Sequence, residues 1–253
     1  MALHTPDRRD LKQPPVYIDI HTLDIQTIID IDQHLLLAFN GSDSLFLDGV
    51  VTTLTDGLVW IPLYLSLFYL VVKNNETMLQ IFLCVAGAAF CVLLADGMAD
   101  GIIKPLVGRL RPSVDPATKY LVDIVNGYRD SGFSFFSAHA ANTMSIAVFF
   151  SMVVHSRRFS VMFILWSLLI GWTRIYLGVH FPLDVFVGHL WGAVAGFVGY
   201  FAYIRLYTHF SPRIKYISSQ YTSTGYDFSD ISVVQVIMVF TFVYALLHSI
   251  VMA

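Results

Sequence analysis

Charge is scarce in this sequence. Asp, Glu, Lys and Arg make up 13% of the 253 residues, against 56% hydrophobic and 15% aromatic, a balance too apolar for a water-soluble domain of this length. The bilayer is therefore the expected solvent. An excess of one sign is missing as well: a net charge of -3 provides no general field to gather a polyanion, so nucleic acid is not an expected partner and any phosphate must be held by local charges. Cysteine is nearly absent. Cys84 and Cys91 lie one heptad apart, about 10 Å along one helix face, too far to pair, and with no Cys/His ligand spacing nearby they do not suggest zinc. Residues 1–15 are polar and lead into no apolar stretch, so no cleavable secretory signal is expected and insertion is expected to rely on internal spans. Repeats and low-complexity tracts are also lacking.

Long apolar runs are what the sequence does have. Runs of a length suited to a bilayer fall near 57–73, 78–99, 137–155, 159–179, 184–206 and 231–252, predicting an all-α, polytopic membrane helical bundle of about six transmembrane helices. The first is tightly bounded by Asp56 and Lys73 and contains Pro62, so it is expected to tilt or to lie partly in the interface. Residues 16–40 alternate apolar positions with Asp19, Asp24, Asp30 and Asp32, which predicts an N-terminal amphipathic helix lying in the interface. The whole chain, 1–253, reads as a single membrane-embedded domain.

Antiparallel spans bring the ends of the second and fourth and the starts of the third and fifth to one membrane face. The loops of the other face carry Lys73, Arg157, Arg158, Arg205, Arg213 and Lys215, as a cytoplasmic side does. The first face is then expected to be extracytoplasmic, on a bacterial inner membrane.

Three motifs fall on that extracytoplasmic face. Lys104 to Pro112 reads KPLVGRLRP, residues 134–140 read SFFSAHA, and residues 173–184 read TRIYLGVHFPLD. Each has an ordinary explanation alone: basic residues anchor span ends, Ser137 caps a helix, and a lone histidine is usually structural. Together they place three cations (Lys104, Arg111, Arg174), a helix N-terminus, two histidines (His139, His180) and a carboxylate (Asp184) around one point. That set suits a dianion.

The same three segments, in the same order over residues 104–184, resemble the type 2 phosphatidic acid phosphatase family, whose signature is Lys-x6-Arg-Pro, then Pro-Ser-Gly-His, then Ser-Arg-x5-His-x3-Asp. Lys104, Arg111 and Pro112 match the first; Ser137 and His139 the second; Arg174, His180 and Asp184 the third. Phe136, Ala138 and Thr173 depart from the usual Pro, Gly and Ser. None of these removes a catalytic side chain. Ala138 retains its backbone N–H and would interfere only if its position required a positive φ or no Cβ.

The resemblance implies a metal-independent hydrolase of lipid phosphates that needs no cofactor. Lys104, Arg111, Arg174, Ser137 and the Ala138 N–H would hold the phosphoryl oxygens. His180 would attack phosphorus to give a phosphohistidine, with Asp184 fixing its tautomer. His139 would protonate the leaving alkoxide and later activate water. The lipid substrate is open among lipid A, undecaprenyl diphosphate and phosphatidylglycerophosphate, the Phe136–His139 segment being similar to that of lipid A phosphatases; transfer to a second lipid is an alternative to hydrolysis. A soluble vanadate-dependent haloperoxidase shares the signature but not the apolar spans, and a non-catalytic lipid-phosphate-binding membrane protein is the remaining alternative. No residue pattern sets the oligomeric state. Asp100, one turn before Lys104, either orients it or is an ordinary helix-end carboxylate; His189 is expected to make a structural hydrogen bond, and Asp96 and Arg109 to line the site or meet water.

Overall fold

The computed structural model of the chain describes residues 24–210 and 219–252. Among these the fold is all α: α1 (Ile25–Phe39), α2 (Leu45–Thr55), α3 (Ile61–Lys73), α4 (Met78–Asp96), α5 (Lys104–Val107), α6 (Ala138–Val154), α7 (Arg157–Tyr176), α8 (Pro182–Phe210) and α9 (Phe228–Met252). A π-helical segment, Gly97–Ile103, joins α4 to α5. Local chemistry sets most starts. Asp24, Ser44 and Ser137 each accept a backbone N–H at the third helical position, and Thr77 with Gln80 forms a capping box ahead of α4, satisfying donors that the first turn leaves free. Pro182 opens α8, where a missing N–H costs nothing.

α6 is the centre of the bundle, packed on α4, α7 and α8. Thirteen of its 17 residues are buried, so it meets protein on nearly every side. Its closest neighbour is α8, and glycine is the reason. A Cβ on Gly188 would come 2.6 Å from the Ser137 carbonyl oxygen, and one on Gly192 would collide with the Ala141 backbone. Small residues at these positions let the two backbones touch, as in helix pairs within membranes. The approach sets the start of α8 beside the start of α6, so residues 180–184 and 137–139 share one end of the bundle.

Four helices are long and apolar enough to cross a bilayer: the continuous Met78–Val107 rod, α7, α8 and Phe228–Val251. Leu45–Thr55 and Gly57–Lys73, bent by 65° at Asp56, make a fifth if the pair is one span. α6, the remaining run of the expected six, is a shorter apolar helix of 17 residues. The chain is thus a polytopic helical membrane protein. Cys84 and Cys91 are free and buried.

Two local expectations change. α2 is an unforeseen helix, because its threonines and Asp48 interrupt the apolar run that marks a span; Asp48 is satisfied by the Tyr176 hydroxyl at 2.5 Å. Of the predicted interfacial helix 16–40, residues 16–23 lie outside the described residues. The rest forms α1, which packs on α7 and α8, and its Asp32 faces protein rather than water, only 4% exposed.

Candidate active site

The geometry is organised around His180, which lies in the turn between α7 and α8 and is 1% exposed. Its Nε2 stands 3.2 Å from Arg111 Nη1. A guanidinium can only donate, so Nε2 presents a lone pair and the ring proton belongs on Nδ1. That atom faces the Ser134 hydroxyl at 3.4 Å and Asp184 Oδ2 at 3.6 Å. Burial, reinforced by the neighbouring arginines and opposed by Asp184, lowers the His180 pKa to about 4. The imidazole is therefore neutral near pH 7.

Arg111 and Arg174 converge on the Nε2 side. Arg111 is fixed by the carbonyls of Ser131, Gly132 and Val179. Arg174, 0% exposed, donates from Nη1 to Thr55 Oγ1 at 2.7 Å and to the Tyr128 hydroxyl at 3.0 Å. Its Nε is buried without a hydrogen-bond partner among the described residues, an uncommon condition for a charged donor. Asp130 bridges the pair, 2.9 Å from Arg174 Nη2 and 3.2 Å from Arg111 Nη1. Burial tends to raise its carboxyl, but the two guanidiniums hold it below the usual range.

Lys104 follows the π-helical segment, a feature often found at functional sites, and its Nζ lies 2.5 Å from Asp100, whose side chain is half exposed. Ser137 is fully buried and caps α6, its Oγ accepting the Ala140 N–H while its own N–H donates to the Asp184 carbonyl. Ala138 opens α6 without a positive φ and packs against Ala95, Ala99 and Phe136, so its departure from glycine carries no backbone strain. His139, one residue on, is exposed. All eight sequence-predicted site residues thus lie at one end of the bundle.

The carboxylate side holds residues that the sequence reading missed or left open. Asp184 Oδ2 accepts the Ser134 hydroxyl and the Phe181 N–H, while Oδ1 takes Arg109 Nη1 at 2.7 Å. Arg109 spans onward to Asp32 Oδ2 at 2.6 Å and rests on the Phe181 ring. The second oxygen of Asp32 accepts the Leu183 N–H at 2.8 Å, capping α8 from another helix. Arg109 sits inside the basic motif and could have been suspected there; Asp32, 77 positions earlier in the chain, offered no signal. Asp96 instead holds Asn142, and His189 bonds the Ser167 carbonyl, both structural contacts. Among the described residues no three His, Cys, Asp or Glu side chains are grouped to hold a metal ion.

Known proteins resemble this chain over the region that holds the three motifs. The family model described as the PAP2 superfamily matches residues 77–208. A lipid A 4'-phosphatase of Bacteroides thetaiotaomicron is 40% identical over 180 residues, covering 70% of this chain and 79% of that protein. One from Porphyromonas gingivalis is 28% identical over 182 residues, covering 71% and 76%. The crystal structure of Aquifex aeolicus LpxE matches with a TM-score of 0.52 at 26% identity, covering 67% of this chain and 94% of that one. With the family model spanning more than half of its length and a relative at that level of identity, the chain belongs to the PAP2 superfamily.

Proposed function

We propose that this protein hydrolyses a phosphate monoester of lipid A at the membrane surface, through a phosphohistidine formed on His180. The observation that carries the reading is the polarity of the His180 ring, with a lone pair on Nε2 toward Arg111, which Asp130 ties to Arg174, and a proton on Nδ1 toward Ser134 and Asp184. A phosphate drawn between Arg111 and Arg174 meets that lone pair. The unpartnered Arg174 Nε supports the same placement, and the names of the two sequence relatives support lipid A as the substrate.

In the first step the phosphate displaces Asp130 from the two guanidiniums, and Lys104, the Ser137 hydroxyl and the Ala138 N–H complete the cradle. The Nε2–P bond forms as the P–O bond to the lipid breaks, and His139 gives its proton to the departing alkoxide. Positive charge develops on the imidazole and is met by Asp184, which keeps the proton on Nδ1. Water then attacks phosphorus, its proton passing to His139, and the P–N bond breaks to release inorganic phosphate and the starting imidazole. Fixed cations neutralise the dianion throughout, so the residues supply the electrostatics that a divalent ion provides elsewhere.

This reading places six spans in a bacterial plasma membrane, with α2 and α3 as one bent span and α6 as a short one, about 25 Å long at helical rise. Lys73, Arg157, Arg158 and Arg205 at the opposite end of the bundle support an extracytoplasmic site. The test is phosphate release by detergent-solubilised protein from lipid A, phosphatidylglycerophosphate and undecaprenyl diphosphate. Lipid A is expected to be turned over fastest. Release from another lipid with none from lipid A would overturn the substrate, and release from no lipid would return the protein to a binding role.

A further inference from the structure

We propose that Asp32 of α1 is a positioning residue for the reaction, acting through Arg109 on Asp184, so that docking of the N-terminal helix completes the carboxylate side of the site. The inference rests on the reading of His180 and Asp184 given above. It starts from a feature outside the region matched by the family model, since α1 precedes residue 77.

Arg109 makes one guanidinium serve two carboxylates, Nη1 to Asp184 and Nη2 to Asp32, and its plane is set by the Phe181 ring at 3.9 Å. Such a fork fixes orientation as well as charge. Asp32 also accepts the Leu183 N–H, tying α1 to the first turn of the helix that carries Asp184. Both Asp184 oxygens are thereby committed: one to Arg109, the other to Ser134 and the Phe181 N–H. Ser134 is held in its turn, its N–H donating to the Arg109 carbonyl at 2.8 Å. A chain of contacts therefore runs from α1 to the His180 ring. Among the described residues no hydrogen bond or ion pair joins the side chain of Asp32 or Arg109 to Arg111, Arg174, Lys104 or His139 on the phosphate side.

That separation gives the proposal its signature. Asp32→Asn keeps an oxygen for the Leu183 N–H but removes the charge that partners Arg109, and Arg109→Lys keeps the charge but loses the fork. Each should lower kcat on p-nitrophenyl phosphate by about 10- to 100-fold, the scale of a small displacement of a reacting group, with KM within about twofold because the phosphate cradle is untouched. Asp32→Glu should recover part of the loss. In an Asp184→Asn background neither substitution should lower kcat further, because the contact through which Asp32 acts has gone.

The full chain in detergent is the material, with thermal unfolding as the check on folding. If Asp32→Asn fails to fold, Arg109→Lys tests the same link from the loop. Unchanged kcat in the folded variants, or losses that multiply in the Asp184→Asn background, would overturn the proposal. His180→Ala keeps the residue tests apart: turnover surviving there refutes the nucleophile, whereas a dead His180→Ala beside a fully active Asp32→Asn refutes the positioning role alone.

Discussion

His180 lies just before the start of α8 and is 1% exposed, with partners at both ring nitrogens. His139, in the first turn of α6, is exposed. The glycine contacts between α6 and α8 bring these two helix starts together, so the difference is not one of location. It is one of constraint. A nucleophile must present a single lone pair along a single line, which needs a fixed tautomer and a fixed plane; a group that passes protons to a leaving oxygen and takes them from water needs access to both. The partners at both ring nitrogens of His180 serve the first task, and the solvent access of the His139 side chain serves the second.

The sharpest way to break this comparison is to remove each histidine and change the leaving group. His180→Ala should abolish turnover and the covalent phosphoenzyme, a loss of roughly 10³-fold or more by analogy with other deleted nucleophiles. His139→Ala should cost about 10²–10⁴-fold on a lipid phosphate, whose alkoxide needs a proton, and much less on p-nitrophenyl phosphate, whose leaving group does not. Kinetics on both substrates check this. If His180→Ala recovered on the aryl ester while His139→Ala stayed equally impaired on both, the two assignments would be exchanged.

The contrast also explains what the sequence revealed. Lys104, Arg111, Arg174, His139, His180 and Asp184 are legible because chemistry fixes their spacing within short segments at span ends, and the apolar runs that space the segments are legible because a bilayer demands their length. Asp130, Ser134, Arg109 and Asp32 support those residues across the fold, and support depends on tertiary approach rather than on spacing. Ser134 reaches Asp184 over 50 positions and Asp32 reaches Arg109 over 77. The π-helical turn before Lys104 lies within a run that reads as plain helix, whereas the break falls at Asp56, the carboxylate that already bounded the first run and that caps the next turn by accepting the Leu58 N–H.

A smaller effect tests the cation side on which the two histidines would act. Asp130 pairs with both Arg111 and Arg174, so it both competes with phosphate and holds the guanidiniums in place. At 30% exposed its competition is modest, in the range of a partly screened ion pair. Asp130→Asn should therefore tighten inhibition by inorganic phosphate by about two- to tenfold. A weaker phosphate inhibition in the variant would mean that ordering the arginines outweighs competition.

The smallest expected effect is none. Were the histidines ligands to a divalent ion rather than nucleophile and proton carrier, they would share a centre with carboxylates at similar depth. Instead Asp184 serves His180 from within the protein, and Asp130 is committed to the two arginines. The dianion finds Lys104, Arg111 and Arg174 in the role an ion would fill. Turnover of lipid A by the purified protein is accordingly expected to be unchanged by excess EDTA and unaffected by added Mg²⁺. Loss of activity in the chelator, restored by Mg²⁺ or Zn²⁺, would show that the cations do not suffice, and would require both histidines to be reassigned.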